Sequence, residues 1–179
     1  MDLDKINHWI CVDDNSSQAD RKKMQEKYPF FTYIFKSESE KGHYKSMNII
    51  LDIVSKHKSK YLLHMEDDFH FVTQRNYVLD AIKILSVDRS YGQVLFNKNY
   101  AEEESSKPHG YIPGGILKKV NKTRYYVHEH IDPDKDHDKY QQFVNKHAGH
   151  GTNAYWPHFS FRPSMMSVSM LVDLGEFCN

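Results

Sequence analysis

A chain of 179 residues is long enough for one domain with a hydrophobic core and barely long enough for two. Basic and acidic residues number 24 each, so the chain has no net charge to attract nucleic acid or an anionic membrane, and we expect neither as a partner. Two widely separated cysteines, Cys11 and Cys178, exclude a disulfide framework. The N-terminus is polar, and no apolar run approaches the ~18 residues of a membrane span, so we expect no integral membrane segment. Together with the cysteine spacing, these features predict a cytoplasmic protein.

The first half of the chain alternates between strand and helix patterns. Ser17 and Asp20 form a capping-box pattern at the start of the first helix, and Pro29 ends that helix. The predicted strands cover residues 8–12, 30–35, 60–65 and 93–97, and the predicted helices cover about 16–28, 44–54 and 76–85. Because strands that alternate with helices usually pair in parallel, we predict a mostly parallel α/β sheet with helices on both faces.

The alternation stops after Lys98, and the second half of the chain is less regular. The sequence pattern at residues 124–130 predicts a strand, and the pattern at 138–146 predicts a short helix. A last helix is expected to be capped by Ser164 and to end at Gly175. Since no linker divides two cores, we predict one domain over 1–179.

Acidic side chains follow two of the predicted strands at the point where each strand ends. Asp13 and Asp14 follow the first strand, and Glu66, Asp67 and Asp68 follow the third. If both strands belong to one parallel sheet, these carboxylates share an edge, which is costly without a cation. Mg²⁺ and Mn²⁺ bind carboxylates together with substrate phosphates, so the pattern favours a metal site for a phosphorylated ligand. The alternative is a solvated loop whose acids face water.

Three segments in order resemble a known family: "VDDNSSQAD" (12–20), "GHYKSMN" (42–48) and "YLLHMEDDF" (61–69). They are similar to motifs of the GT-A fold nucleotide-sugar glycosyltransferases, especially the large inverting group that includes the cellulose and chitin synthases. The resemblance covers roughly 8–97. It implies a three-layer, Rossmann-like sheet whose half at 1–98 binds the nucleotide sugar, with an irregular acceptor-side half at 99–179.

The same resemblance implies a metal-dependent transferase. It would take a nucleotide-diphosphate sugar as donor, a glycan, lipid or protein as acceptor, and Mn²⁺ or Mg²⁺ as cofactor. Asp14, or Asp13, would accept a hydrogen bond from the nucleotide, and Asn48 matches the family's asparagine. Lys45 in the same segment is our own hypothesis for a diphosphate contact, and a solvated helix lysine is an equal alternative.

The family's DXD motif falls on the third strand end. The resemblance implies that Asp68 binds the metal and that Glu66, which stands where aspartate is usual, assists it with Asp67 nearby. In the second half, His158 is a candidate for a further metal ligand. Arg162 is a candidate for a diphosphate contact because its planar guanidinium fits phosphate oxygens.

Inversion at the sugar carbon requires a base that takes the proton of the acceptor hydroxyl. The candidates are the carboxylates Asp67, Glu129, Asp132 and Asp134, and the sequence does not choose among them. It also leaves open whether the reaction inverts or retains the configuration.

The family usually has one more strand before its first acidic motif, whereas only about seven residues precede His8. We therefore expect a short or N-terminally truncated form, and a non-catalytic nucleotide-sugar or glycan-binding module is the main alternative. A nucleotidyl or phosphoryl transferase is less favoured, because the first strand is not followed by a glycine-rich loop with a basic residue.

Overall fold

The computed structural model describes residues 2–71, 73–96, 116–128, 131–146 and 160–178. The strands are β1 (Ile10–Asp13), β2 (Thr32–Phe35), β3 (Tyr61–His64), β4 (Gln93–Leu95), β5 (Ile116–Val120), β6 (Thr123–Val127) and β7 (Ser164–Ser167). The helices are α1 (Gln18–Lys27), α2 (His43–Lys56), α3 (Tyr77–Leu85), α4 (His137–Lys146) and α5 (Val168–Leu174).

The predicted alternation of strand and helix up to β4 is confirmed, with each strand shorter than its apolar pattern. The predicted cap of α1 is also present, since the Asp20 backbone N–H donates to Ser17 Oγ at 3.2 Å. Ser, Thr, Asp and Asn stabilise a helix start in this way because the first N–H groups have no partner inside the helix.

The predicted mostly parallel, three-layer sheet is wrong. The strands form three small sheets in the orders β1-β2, β3-β7-β4 and β5-β6, and among them only β1 and β2 pair in parallel, from Ile10 opposite Thr32 to Asp13 opposite Phe35. Strand β7 lies between β3 and β4 and runs against both. Alternation along the sequence gives the element types, whereas strand order depends on contacts between distant segments.

Strand β7 also differs from the prediction, which places its residues in the last helix. Residues 164–167 form the strand, and α5 begins only at Val168, so Ser164 is not the helix cap that the pattern predicted. Ser164, Met165 and Met166 are buried, which explains why an apolar run here was ambiguous between a strand and a buried helix.

The described chain divides into two compact units, and each draws on segments from before and after residue 98. The first unit comprises Met1–Leu62, Thr73–Leu79 and Met166–Asn179, and the second comprises Leu63–Val72 and Asp80–Met165. The buried apolar side chains of the first unit include Met47, Val54, Val78, Met166, Val168 and Leu171. Those of the second include Ala81, Ile84, Leu85, Ile131 and Met165.

Helix α2 organises the first unit by packing against β1 and α5. The buried Asp2 also ties the N-terminal segment to this unit, because its carboxylate accepts the backbone N–H groups of Val78 and Leu79 at the start of α3. Across the part of the chain that is described, no helix combines the length and the apolar character needed to cross a membrane.

Candidate functional site

The two acids that end β1 have different environments in the first unit. Asp13 is buried, and its Oδ2 accepts Arg21 Nε at 2.7 Å and the Ser16 backbone N–H at 3.1 Å. Burial pushes the pKa of the Asp13 carboxyl upward, but the hydrogen bonds from Ser16 and Arg21 outweigh burial and hold it below its ordinary value. Asp13 is therefore an internal anion whose hydrogen-bonding capacity is largely used by the protein.

Arg21 connects the end of β1 to the end of β2. Its Nη2 donates to the Lys36 carbonyl oxygen at 2.6 Å and to Asn15 Oδ1 at 3.3 Å, and its guanidinium lies 4.9 Å from the centre of the Phe35 ring. With the ion pair to Asp13, these contacts hold the carboxyl ends of the parallel strands in a single arrangement.

Asp14 forms an ion pair with a buried lysine, Lys36. Only 1% of Lys36 is exposed, and its ammonium donates to Asp14 Oδ1, to the Gly42 carbonyl oxygen at 2.9 Å and to Ser46 Oγ at 2.8 Å. A lysine ammonium has three N–H donors, so these three acceptors satisfy it completely. A buried cation with this many partners fixes the position of the carboxylate that it faces.

The start of α2 supplies the second support for Asp14. The Gly42 backbone N–H donates to Asp14 Oδ1 at 3.0 Å, from a residue whose φ of 127° is a conformation that side-chain-bearing residues rarely adopt. The Lys36 hydrogen bond is the main reason that the pKa of Asp14 lies below its ordinary value, and the Gly42 N–H adds to it. The Asp14 side chain is nevertheless 48% exposed, so it can accept hydrogen bonds from a ligand.

Lys45 and Asn48 lie on α2 but already have contacts in the first unit. Lys45 Nζ donates to the Ser39 carbonyl oxygen at 2.8 Å. The Asn48 amide pairs with the backbone of Phe177, donating at 2.9 Å and accepting at 2.7 Å. Ser46 and Asn48 are about 200° apart around the helix, so Asn48 lies on a different face from the one that meets Lys36. The contact with Phe177 gives Asn48 a role in holding the C-terminal segment.

The acids that follow β3 belong to the second unit. Glu66 is half-buried, whereas Asp67 and Asp68 form an exposed turn and have no ion pair or hydrogen bond with the residues that the structure describes. Because β1 and β3 belong to different sheets, the premise that one parallel sheet brings both acidic groups to a common edge is wrong. Within the described ranges, no group of three or more His, Cys, Asp or Glu side chains is arranged to hold a metal ion.

The remaining candidates lie in the second half of the chain. Asp132 accepts the Asp134 backbone N–H at 3.0 Å and pairs with Lys135 at 3.1 Å. The hydrogen bond from Lys135 is the main reason that the pKa of Asp132 lies below its ordinary value. The backbone N–H of Arg162, a half-buried residue, donates to Ser160 Oγ. Glu129 and His158 lie outside the described residues.

Sequence reasoning missed Arg21 and Lys36, the two cations that hold the acids at the end of β1. Lys36 lies 22 positions from Asp14, directly after an apolar strand, where a lysine usually marks the return to solvent. Arg21 lies in the polar helix α1, most of whose residues are exposed. Only the presence of two adjacent acids after β1 could have suggested that each needs a cationic partner.

Comparison with known proteins gives no relative from which a function could be transferred: no family model matches the chain, and no match was found among curated proteins or solved structures. The residues of the chain itself are therefore the basis for proposing a function.

Proposed function

We propose that the chain is a metal-dependent glycosyltransferase that transfers a sugar from a nucleotide-diphosphate sugar to an acceptor hydroxyl. The observation that carries the proposal is Asp14, a half-exposed carboxylate at the carboxyl end of a parallel strand, fixed by a buried lysine and a backbone N–H. Ligands of α/β proteins bind outside the carboxyl ends of parallel strands. This is also the position at which the sequence resembles the nucleotide-binding aspartate of the glycosyltransferases.

A carboxylate that is already oriented binds a nucleoside with little loss of side-chain entropy. Lys36 and Gly42 engage mainly Oδ1, and the longer contact of Gly42 N–H with Oδ2 is 3.3 Å. Carboxylate oxygens have about four lone-pair sites in all. Asp14 can therefore accept hydrogen bonds from the hydroxyl groups of a ribose or from an N–H group of a base.

Asp68 and Glu66 are the residues that would hold Mn²⁺ or Mg²⁺, with Asp67 nearby. These carboxylates suit such an ion because hard cations are often bound by one or two carboxylates plus the phosphates of the substrate. The exposed Asp67 and Asp68 also have no cationic partner among the described residues. The cation would neutralise charge that develops on the departing diphosphate.

In the proposed reaction, an acceptor oxygen forms a bond with the anomeric carbon of the donor sugar. The bond between that carbon and the β-phosphate oxygen breaks, and the nucleoside diphosphate leaves with the electron pair. The hydroxyl proton goes to a carboxylate if the configuration inverts. Among the described acids, Asp67, Asp132 and Asp134 are the candidates for that base. The acceptor is a glycan, lipid or protein hydroxyl.

The test of this function is nucleotide release from a panel of UDP- and GDP-sugars, with and without Mn²⁺. We expect release with at least one donor, dependent on the metal. Asp68→Ala should lower release at least tenfold without changing the melting temperature, because Asp68 is exposed and the variant removes only a ligand. The matched control is Asp138→Ala, an exposed acid in the first turn of α4, which should release nucleotide at the normal rate.

Three other results separate the alternatives. Full turnover by Asp68→Ala would show that the metal assignment is wrong. A donor that raises the melting temperature in the presence of Mn²⁺ without nucleotide release would instead identify a non-catalytic nucleotide-sugar-binding module. No release and no thermal shift with any donor would contradict the proposed function.

A further inference from the structure

A two-stranded hairpin in the second unit has two faces of different character. Strands β5 and β6 pair from Ile116 opposite Val127 to Val120 opposite Thr123, and the turn between them begins at Asn121, whose φ is 53°. Side chains alternate between the faces of a strand. One face, the outer hairpin face, therefore carries Leu117, Lys119, Arg124 and Tyr126, with Lys122 in the turn beside it.

The opposite face of the hairpin is attached to the rest of the second unit. Thr123 is buried, and its hydroxyl donates to Asp80 Oδ1 at 2.9 Å. Lys118 Nζ donates to the Tyr91 hydroxyl at 2.9 Å, and the Tyr125 ring meets that of Tyr91 edge-on at 6.3 Å. Since these contacts anchor one face, the hairpin presents the other in a defined orientation.

The outer hairpin face carries positive charge that has no acidic partner among the described residues. Lys119, Lys122 and Arg124 are exposed, and none of them forms an ion pair with the residues that the structure describes. Residues 116–127 contain no acidic residue. The register places Lys119 directly opposite Arg124, and like charges at such positions, with Cβ atoms about 5 Å apart, destabilise a hairpin. A bound anion would remove that repulsion.

The next cross-strand pair on this face is Leu117 opposite Tyr126, of which Leu117 is 42% exposed. Residues two apart on a strand, such as Arg124 and Tyr126, lie on the same face and are separated by about 6.6 Å. A ring lying against Tyr126 would place a carboxylate or sulfate substituent near Arg124, whose guanidinium can donate hydrogen bonds to two oxygens of such a group.

We propose that the outer hairpin face binds an acidic glycan and that this glycan is the acceptor. The assignment of the polyanion as a carbohydrate rests on the proposed function. The net charge of the chain also favours an acidic glycan over nucleic acid as the ligand. Nucleic-acid-binding domains usually carry a strong net positive charge, whereas this chain has equal numbers of basic and acidic residues. A small, local group of cations beside one aromatic ring suits a polymer of lower charge density.

The test is calorimetric titration of the full chain with a uronic-acid oligosaccharide, without donor or Mn²⁺. We expect at least tenfold tighter binding than to a neutral oligosaccharide of the same length, and weaker binding at 200 mM than at 50 mM salt. The variant Lys119→Gln/Arg124→Gln should bind at least tenfold more weakly. Its melting temperature should not fall, because the substitution removes a repulsion.

The matched control is Lys22→Gln/Lys23→Gln, the same change of charge on two exposed lysines of α1, which should bind like the unmodified chain. Equal binding of the acidic and neutral oligosaccharides would overturn the proposal. So would tighter binding of single-stranded DNA or anionic vesicles, or an unchanged affinity in the hairpin variant. Binding of the acidic glycan without nucleotide release from any donor would support the outer hairpin face as a glycan-binding site and would contradict the proposed transferase activity.

Discussion

Replacing Lys36 by Met is expected to destabilise the first unit by about 3–5 kcal/mol, which lowers the melting temperature by roughly 10 °C. The ammonium is buried and satisfied by Asp14, Gly42 and Ser46. Without it, the carbonyl of Gly42 and the hydroxyl of Ser46 lose a charge-assisted hydrogen bond, and Asp14 loses the cation that lowers its pKa. The measurement is urea denaturation of the purified variant at neutral pH.

The control for this variant is the same substitution at Lys56, an exposed residue of α2 that pairs with the exposed Asp52. Lys56→Met should change the free energy of unfolding by less than about 0.5 kcal/mol. A double variant, Lys36→Met/Asp14→Asn, tests the pairing directly, because its effect should be smaller than the sum of the single effects. Equal stability of the two lysine variants would show that Lys36 is not the support of this site.

The second large effect is expected from Arg21→Met, which leaves the buried carboxylate of Asp13 without its cation. The ion pair measures 2.7 Å, and the side chains are 11% and 4% exposed. Loss of one member of a buried pair typically costs about 3–5 kcal/mol because the remaining charge is uncompensated. The loss of hydrogen bonds to Asn15 and to the Lys36 carbonyl acts in the same direction.

Arg21→Met should also change the dependence of stability on pH. In the unmodified protein the pKa of Asp13 is lowered, so its contribution to stability is present above its ordinary pKa of 3.8 and is lost as the pH falls through the folded-state value. In the variant, burial without Arg21 raises that pKa, and protonation then relieves the unpaired charge. The variant should therefore lose less stability than the parent between pH 5 and pH 3. A parallel loss in both proteins would contradict this role of Asp13.

The sequence predicted local structure well because local structure depends on nearby residues. The apolar spacing of Met47 and Val54 predicted α2, and Ser17 predicted the start of α1. The sequence did not predict the order of the strands. An apolar run at 164–167 can form either a helix or a strand, and only its pairing with β3 and β4 decides between them.

The candidate site depends on contacts between distant elements in the same way. Asp14 was identified from its place after a strand, but the sequence could not separate it from Asp13. The two acids differ in their partners, above all in Arg21 and Lys36, which reach them from other elements. The sequence likewise did not predict the group of cations on the outer hairpin face, because the strand register places Lys119 opposite Arg124.

Asp14, held by Lys36, is proposed to bind the nucleotide of an activated sugar. Calorimetry with UDP- and GDP-sugars in the presence of Mn²⁺ tests it most directly, comparing the parent with Asp14→Asn and with Asp52→Asn as an exposed control. We predict that a donor binds the parent and Asp52→Asn equally and binds Asp14→Asn at least tenfold more weakly. Equal affinity for Asp14→Asn, or no donor binding by the parent, would contradict the claim.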